Sequence, residues 1–288
     1  MRNWFKGSLI AAGVAAVVSL AVIPAVLTGQ APAGRGATPA GQPPAGRGAA
    51  ARVPRTADGK PNLNGIWQVM VNSNWNLEDH GAQAGPFYQL GATGAIPAGQ
   101  GIVEGGDIPY TPAALAKRND NARNRLTLDP EVKCYMPGIP RATYMPFPFQ
   151  IVQSPQNVLF AYEYASANRV VNMGKPTEAP VDSWMGWSNG KWDGDTLVVD
   201  VTGLNGSAWL DRAGNFTTDT AHIVERYTLT DADHINYEAT ITDAKTFTRP
   251  WKLSTVLYKH TEKNFQLLEF KCVEFSEELL YGHLRKKY

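Results

Sequence analysis

The sequence predicts a mainly β protein: an antiparallel meander closing into a barrel, with long loops, one helix before the barrel core and a short C-terminal helix. Three observations carry this. From Gln150 onward, short runs rich in β-branched and aromatic residues recur at regular spacing. Connections such as Thr230–Asp233 and Thr261–Asn264 are short enough to demand antiparallel neighbours. Asn189-Gly190 and Asp193-Gly194 are turn dipeptides of the hairpin type.

Taken in order, the chain opens on a short basic stretch, Met1 to Lys6, followed by an apolar run from Leu9 to Ile23 and a small-residue pattern at Ala31-Pro32-Ala33. Residues 1–33 therefore read as a signal peptide, exporting the protein to the periplasm or the outside. Left uncleaved, Ser8 to Leu27 is just long enough to anchor it in a membrane; Pro24 shortens the clean run and favours cleavage. Residues 34–59 are rich in Ala, Gly, Pro and Arg, a composition that buries no core, and read as a flexible linker before a single domain at 60–288. With Arg2 and Lys6 removed, 25 basic residues face 26 acidic ones. So near-neutral a chain has no footprint for nucleic acid. Both cysteines, Cys134 and Cys272, lie in the exported part, where two cysteines are often joined, although two free thiols also fit.

The strands read as Gly65–Val71, Gln150–Gln153, Val158–Tyr164, Arg169–Met173, Trp184–Ser188, Asp195–Thr202, Ala221–Leu229, His234–Thr242, Trp251–His260 and Gln266–Val273. Asn72 to Asp107 reads as long loops. Thr111-Pro112 starts a helix, Thr as cap and Pro in the first turn, running to about Asn124. Its Lys117, Arg118, Arg123 and Arg125 read as a solvated face. Leu126 to Phe149 holds five prolines and reads as extended. Ser276 is expected to cap the final helix.

Gly65-x-Trp67 resembles the opening of lipocalins and related calycin barrels, where the Trp closes the barrel floor; the predicted barrel is in that sense lipocalin/calycin-like. The longer motifs CYMPGIPR and WMGWSNGKWDGDTLVVDVTG resemble those of a family of uncharacterised exported bacterial proteins. That resemblance implies export and supplies no catalytic residues.

The functional candidates concentrate between Trp184 and Leu229. The loop from Gly203 to Asp219 carries Trp209, Asp211 and Arg212, and long loops in β domains tend to be functional. Alternation along Ala221–Leu229 puts Glu225 and Tyr227 on the apolar face and His222 on the polar one. A carboxylate among apolar neighbours suits general acid or base work. An Asp211–His222 pair would be a second acid–base device, with Asp219 as the other possible partner. Trp187, Trp209, Arg212 and Tyr227 are the candidate ligand contacts, since indole rings present large apolar faces. The five histidines show no paired spacing, and no HExxH, EF-hand loop or CxxC is present, so neither metal nor cofactor is predicted. The expectation is an exported barrel binding a small hydrophobic or aromatic molecule. A lyase, isomerase or hydrolase using Glu225 or Asp211–His222, and a structural envelope protein without a pocket, are the alternatives.

Overall fold

A computed structural model describes residues 53–285. The expected signal peptide and most of the expected linker lie outside those residues. Residues 53–59, expected in the linker, form a turn instead: Gly59 N–H donates to Thr56 O, and Arg55 bonds both carboxylate oxygens of Asp195 at 3.0 and 2.6 Å. Both side chains are half exposed, so this docking adds little stability.

Nine strands form a closed barrel in sequence order. They are β1 (Gly65–Val69), β2 (Phe149–Gln153), β3 (Asn157–Tyr162), β4 (Asn168–Asn172), β5 (Trp187–Asp193), β6 (Thr196–Thr202), β7 (His222–Leu229), β8 (His234–Thr242) and β9 (Trp251–Lys259). β1 closes the ring by pairing with β9, Gln68 opposite Tyr258. Every neighbouring pair is antiparallel except β4 and β5, where Val171 lies opposite Ser188 in parallel. Closure requires this. Each antiparallel neighbour reverses direction, and a closed circuit needs an even number of reversals, so nine strands in order cannot all alternate. The parallel step needs a long crossover, and residues 173–186 supply it.

Two of the expected strands differ. Asn189-Gly190 lies inside β5 and is no turn; the hairpin turn is at Asp193-Gly194, where Gly194 has φ +60°. Gly190 is there for close approach, since a Cβ on it would stand 2.5 Å from Met173 Sδ and Val171 Cγ1 on the neighbouring strand. Gln266–Val273 makes no ladder. With β1 seated on β9 the barrel has no free edge to receive it.

Alternation builds the core. Along β7 every second residue is buried, from Ile223 through Glu225 and Tyr227 to Leu229, and β8 repeats the pattern. Trp67, Phe149, Phe160, Tyr227 and Tyr237 are fully buried inside the ring, and the last four form a chain of ring contacts, with centroids 6.2 Å apart for Phe149–Phe160, 5.2 Å for Phe160–Tyr227 and 5.0 Å for Tyr227–Tyr237. Truncating any one of these rings to Ala would cost about 3–5 kcal/mol. Trp67 also donates its Nε1–H to Leu63 O at 2.9 Å, a buried strand-opening Trp in keeping with a lipocalin-like barrel.

Helices and loops cover the barrel. α1 (Pro112–Arg123) begins as expected, the Thr111 hydroxyl accepting from Ala114 N–H at 3.3 Å. The proline-rich stretch after it is not extended: it winds into α2 (Arg125–Leu128), a 3₁₀ turn at Pro130–Lys133 and α3 (Arg141–Tyr144). The last helix, α4 (Ser276–Tyr281), has Phe275 rather than Ser276 at its cap, with no side-chain cap bond. Cys134 and Cys272 are disulfide-bonded, their Cα atoms 5.8 Å apart, a bond that belongs in a non-reducing environment. Among the described residues no helix is long and apolar enough to cross a membrane.

Candidate functional site

Glu225 faces the barrel interior, as its alternation predicts, but it is not alone there. Arg169 projects from β4 on the far side of the ring and donates from Nη1 to Glu225 Oε2 at 2.5 Å. The Tyr227 and Tyr237 hydroxyls donate to Oε1 at 2.9 and 2.8 Å. Arg169 Nη2 donates in turn to the Tyr227 oxygen at 3.2 Å, and the guanidinium lies 4.7 Å from the Phe160 ring centre. All four polar residues are buried. Desolvation opposes the Arg169 cation, but the adjacent Glu225 carboxylate outweighs it and holds the guanidinium above its ordinary value. Burial, and then the Glu225 charge, pushes both tyrosine hydroxyls well up. Glu225 therefore has its oxygens occupied by donors that keep their protons at neutral pH. The arrangement is a cross-barrel clamp, and the expected acid–base carboxylate is committed to it.

The expected Asp211–His222 pair does not form. His222 sits on the outward face of β7, and its Nε2 lies 3.0 Å from Asp200 Oδ2 on β6, both side chains half exposed. Asp219 pairs with Lys245 at 2.8 Å. Asp211 turns the other way and is fully buried. It accepts from Leu77 N–H at 2.8 Å, from Asn215 N–H at 3.1 Å and from Asn215 Nδ2 at 2.5 Å. Burial pushes the Asp211 carboxyl up to about 6, while these three donors pull against it. The role is architectural: Asp211 ties the β6–β7 loop to the segment after β1.

Beside it, Arg212 reaches a different environment. Its backbone N–H donates to Asn74 O, and its Nε and Nη2 chelate Glu131 at 2.8 and 2.6 Å. Glu131 also receives Arg141 Nη2 at 2.6 Å, and Arg141 bonds Asp129 at 3.1 Å and Asn74 Oδ1 at 2.9 Å. Burial works against the Glu131 anion, but Arg141 and Arg212 outweigh it and hold its carboxyl down at about 2. The Arg212 guanidinium lies 4.4 Å from the centre of the Trp75 ring, and that of Arg125 5.4 Å.

These side chains wall a cleft of about 240 Å³, formed by the loop after β1 (Trp75, His80), by the helical segment (Arg118, Arg125) and by Arg212. No carboxylate lines it. Gly214, at φ +87°, lets the β6–β7 loop press onto α1: a Cβ there would stand 2.6 Å from Arg118 O and 2.7 Å from Ala122 N. Two polar atoms of the wall are buried without a hydrogen-bond partner, His80 Nε2 and Arg125 Nη1. His80 Nδ1 lies 2.9 Å from Glu78 O, and a carbonyl can only accept, so Nδ1 carries a proton.

Of the ligand contacts expected from sequence, only Arg212 reaches this cleft. Tyr227 is inside the barrel. Trp187 donates to Thr177 Oγ1 at 3.1 Å at the barrel's outer side. Trp209 packs with Ala114 and Phe216 in a separate small cluster. Arg118 and Arg125, read as a solvated face, instead turn into the cleft, Arg125 being only 7% exposed. Trp75 and His80 carried no signal in a Gly/Ala/Asn-rich stretch without periodicity. Among the described residues no group of His, Cys, Asp and Glu is placed to hold a metal ion. Comparison with protein-family models and with curated proteins finds no match for the chain.

Proposed function

We propose that this is an exported protein that binds a small aromatic or otherwise planar molecule, and that its site is the rim cleft at Trp75 rather than the barrel interior. The observation that carries the reading is the wall itself: the Trp75 indole set among the guanidinium groups of Arg118, Arg125 and Arg212 in a cleft that no carboxylate lines. A concave site with an aromatic face and a few fixed polar groups is what a planar ligand would occupy. The volume lies just below the usual range of about 300–1,000 Å³ for ligand sites, which favours a ligand of one or two rings. The apolar N-terminal run and the disulfide support export, and the CYMPGIPR and WMGWSNGKWDGDTLVVDVTG motifs support membership of an exported bacterial family. Titration of single-ring aromatic fragments into the ¹⁵N-labelled protein tests the site. Binding should shift the Trp75 indole N–H signal, and Trp75→Ala should abolish it.

The filled barrel favours one other reading, an envelope protein whose barrel is only scaffold. It predicts that no fragment shifts Trp75 at millimolar concentration.

A further inference from the structure

Granting that reading of the cleft, the C-terminal arm supplies its control. We propose that the Cys134–Cys272 disulfide is a redox latch: a dithiol reductant opens it while the barrel stays folded, the arm lifts away, and the Trp75 cleft loses its grip on the ligand.

The arm, residues 261–285, follows β9 and packs on the helical segment. Not one of its residues is buried. Besides the disulfide, scattered contacts hold it. Leu268 N–H donates to Glu163 Oε2 at 2.7 Å, and Phe275 N–H to Val132 O at 2.7 Å. The Phe270 ring centre lies 4.8 Å from that of Tyr164 and 5.5 Å from that of Phe147. Glu277 lies 3.6 Å from Arg125. A segment with so little buried surface belongs to the low end of local stability and opens without the rest. The covalent bond is what keeps this one down.

That bond is open to attack. Cys272 is exposed and Cys134 half-buried. Exposed disulfides are the labile kind, because an incoming thiolate reaches a sulfur without unfolding the protein. One thiolate of the dithiol attacks Cys272 Sγ and forms a mixed disulfide, Cys134 leaving as the thiolate. The second thiol then displaces Cys272. The dithiol is oxidised to its own disulfide, giving up two electrons, and its two protons pass to the two cysteine sulfurs.

The arm supports the Trp75 wall by two routes. Glu277 is the counter-charge of Arg125, whose guanidinium lies against the indole. The second route is indirect. The 3₁₀ turn at Pro130–Lys133 carries Glu131, which chelates Arg212, the other guanidinium on that ring. Cys134 ends this turn, and Phe275 bonds its Val132. Glu131 and Arg212 also face a second cleft, of about 210 Å³, which the arm lines from Phe270 to Glu278. When the arm leaves, that cleft becomes open surface, and both guanidiniums lose the backing that sets them against the indole. A ligand stacked there is held by the oxidised protein and let go by the reduced one. By linkage, the ligand resists reduction by the same factor.

The test follows the ¹⁵N-labelled protein before and after dithiothreitol, first with no ligand present. Heteronuclear NOEs of residues 261–285 should fall, amides of β7 and β8 should keep their protection from hydrogen exchange, and the Trp75 indole signal should shift. A Cys134→Ser/Cys272→Ser double variant should show the open arm from the start and ignore dithiothreitol. Glu277→Ala, with the disulfide intact, should move the Trp75 signal part of the way while the arm stays ordered. Aromatic fragments that bind the oxidised protein should bind the reduced one about fivefold or more weakly, and should raise the dithiothreitol needed for half-reduction. An arm still ordered after reduction, or a barrel that unfolds with it, overturns the latch. An arm that opens with Trp75 unmoved, or with fragment affinity unchanged, overturns its control of the cleft. If no fragment binds while reduction still frees the arm and shifts Trp75, the ligand reading fails and the latch on the Trp75 wall stands.

Discussion

The clamp across the barrel interior makes the sharpest prediction about stability. In Glu225→Gln the amide oxygen can still accept from the Tyr227 and Tyr237 hydroxyls, which both bond Oε1. The amide nitrogen, however, takes the place of Oε2 and faces Arg169 Nη1, 2.5 Å away in the parent. Two donors then oppose each other and a fully buried cation loses its counter-charge. Removing one partner of a buried pair costs about 3–5 kcal/mol. For a domain of this size, each kcal/mol lowers Tm by roughly 2–4 °C, giving a fall of about 6–20 °C. Urea unfolding at pH 7 with the disulfide intact reads the loss directly, as a lower midpoint at unchanged slope. Adding Arg169→Met removes the stranded cation, so the two changes should couple by up to about 3 kcal/mol. Affinity of the cleft for its probes should not move. A loss below about 1 kcal/mol, or additivity of the two changes, would refute the clamp.

Asp211 is raised in the fold to about 6 from an ordinary value near 4, so the folded protein binds the extra proton between them. Its contribution is present below pH 4 and is lost as pH rises through 6, on the order of 3 kcal/mol; Asp211→Asn should flatten that limb in a pH series of urea midpoints, and an identical slope in the variant would count against it. Glu131 has the opposite sign: held down at about 2, it stabilises above its ordinary range and is lost as pH falls toward 2, a limb that Glu131→Gln should remove. Reducing Cys134–Cys272, which are 138 residues apart, should cost about 5 kcal/mol on the chain-entropy estimate; thiol titration of the unfolded, unreduced protein should find no free thiol. Gly214→Ala strains a φ of +87° and drives a Cβ into α1 backbone, so it should cost about 1–3 kcal/mol and weaken cleft binding, whereas Gly194→Ala, with open space around it, should leave binding unchanged.

Reading the barrel from sequence worked where one side of a strand is wet and the other dry. β7 and β8 alternate cleanly because the ring interior is apolar and the outer face meets water, and that same alternation put Glu225 inside and His222 outside. It failed where close packing rather than burial chose the residue. Asn189-Gly190 has the composition of a turn, but Gly190 is needed because Met173 and Val171 leave no space for a side chain. Gln266–Val273 alternates like a strand, but a closed ring offers it no partner. The site was harder still. Arg169 and Glu225, or Trp75 and Arg125, are far apart in sequence and meet only through barrel closure and loop docking, so no local pattern records them. Asp211 and Arg212 stood out because a long loop bearing charge is unusual. Their consequences, one buried as an anchor and one turned to the cleft, depend on partners contributed by Leu77, Asn215 and Glu131.

The Cys134–Cys272 bond also changes what kind of object the barrel is. The chain between these residues is a covalent hoop, and β2 through β9 all lie within it. β1 alone lies outside, held by three register pairs to β2 and three to β9. It is a loose stave in a riveted cask. A protease cut within the hoop leaves the fragments joined until a reductant is added, whereas a cut between β1 and Cys134 frees the stave.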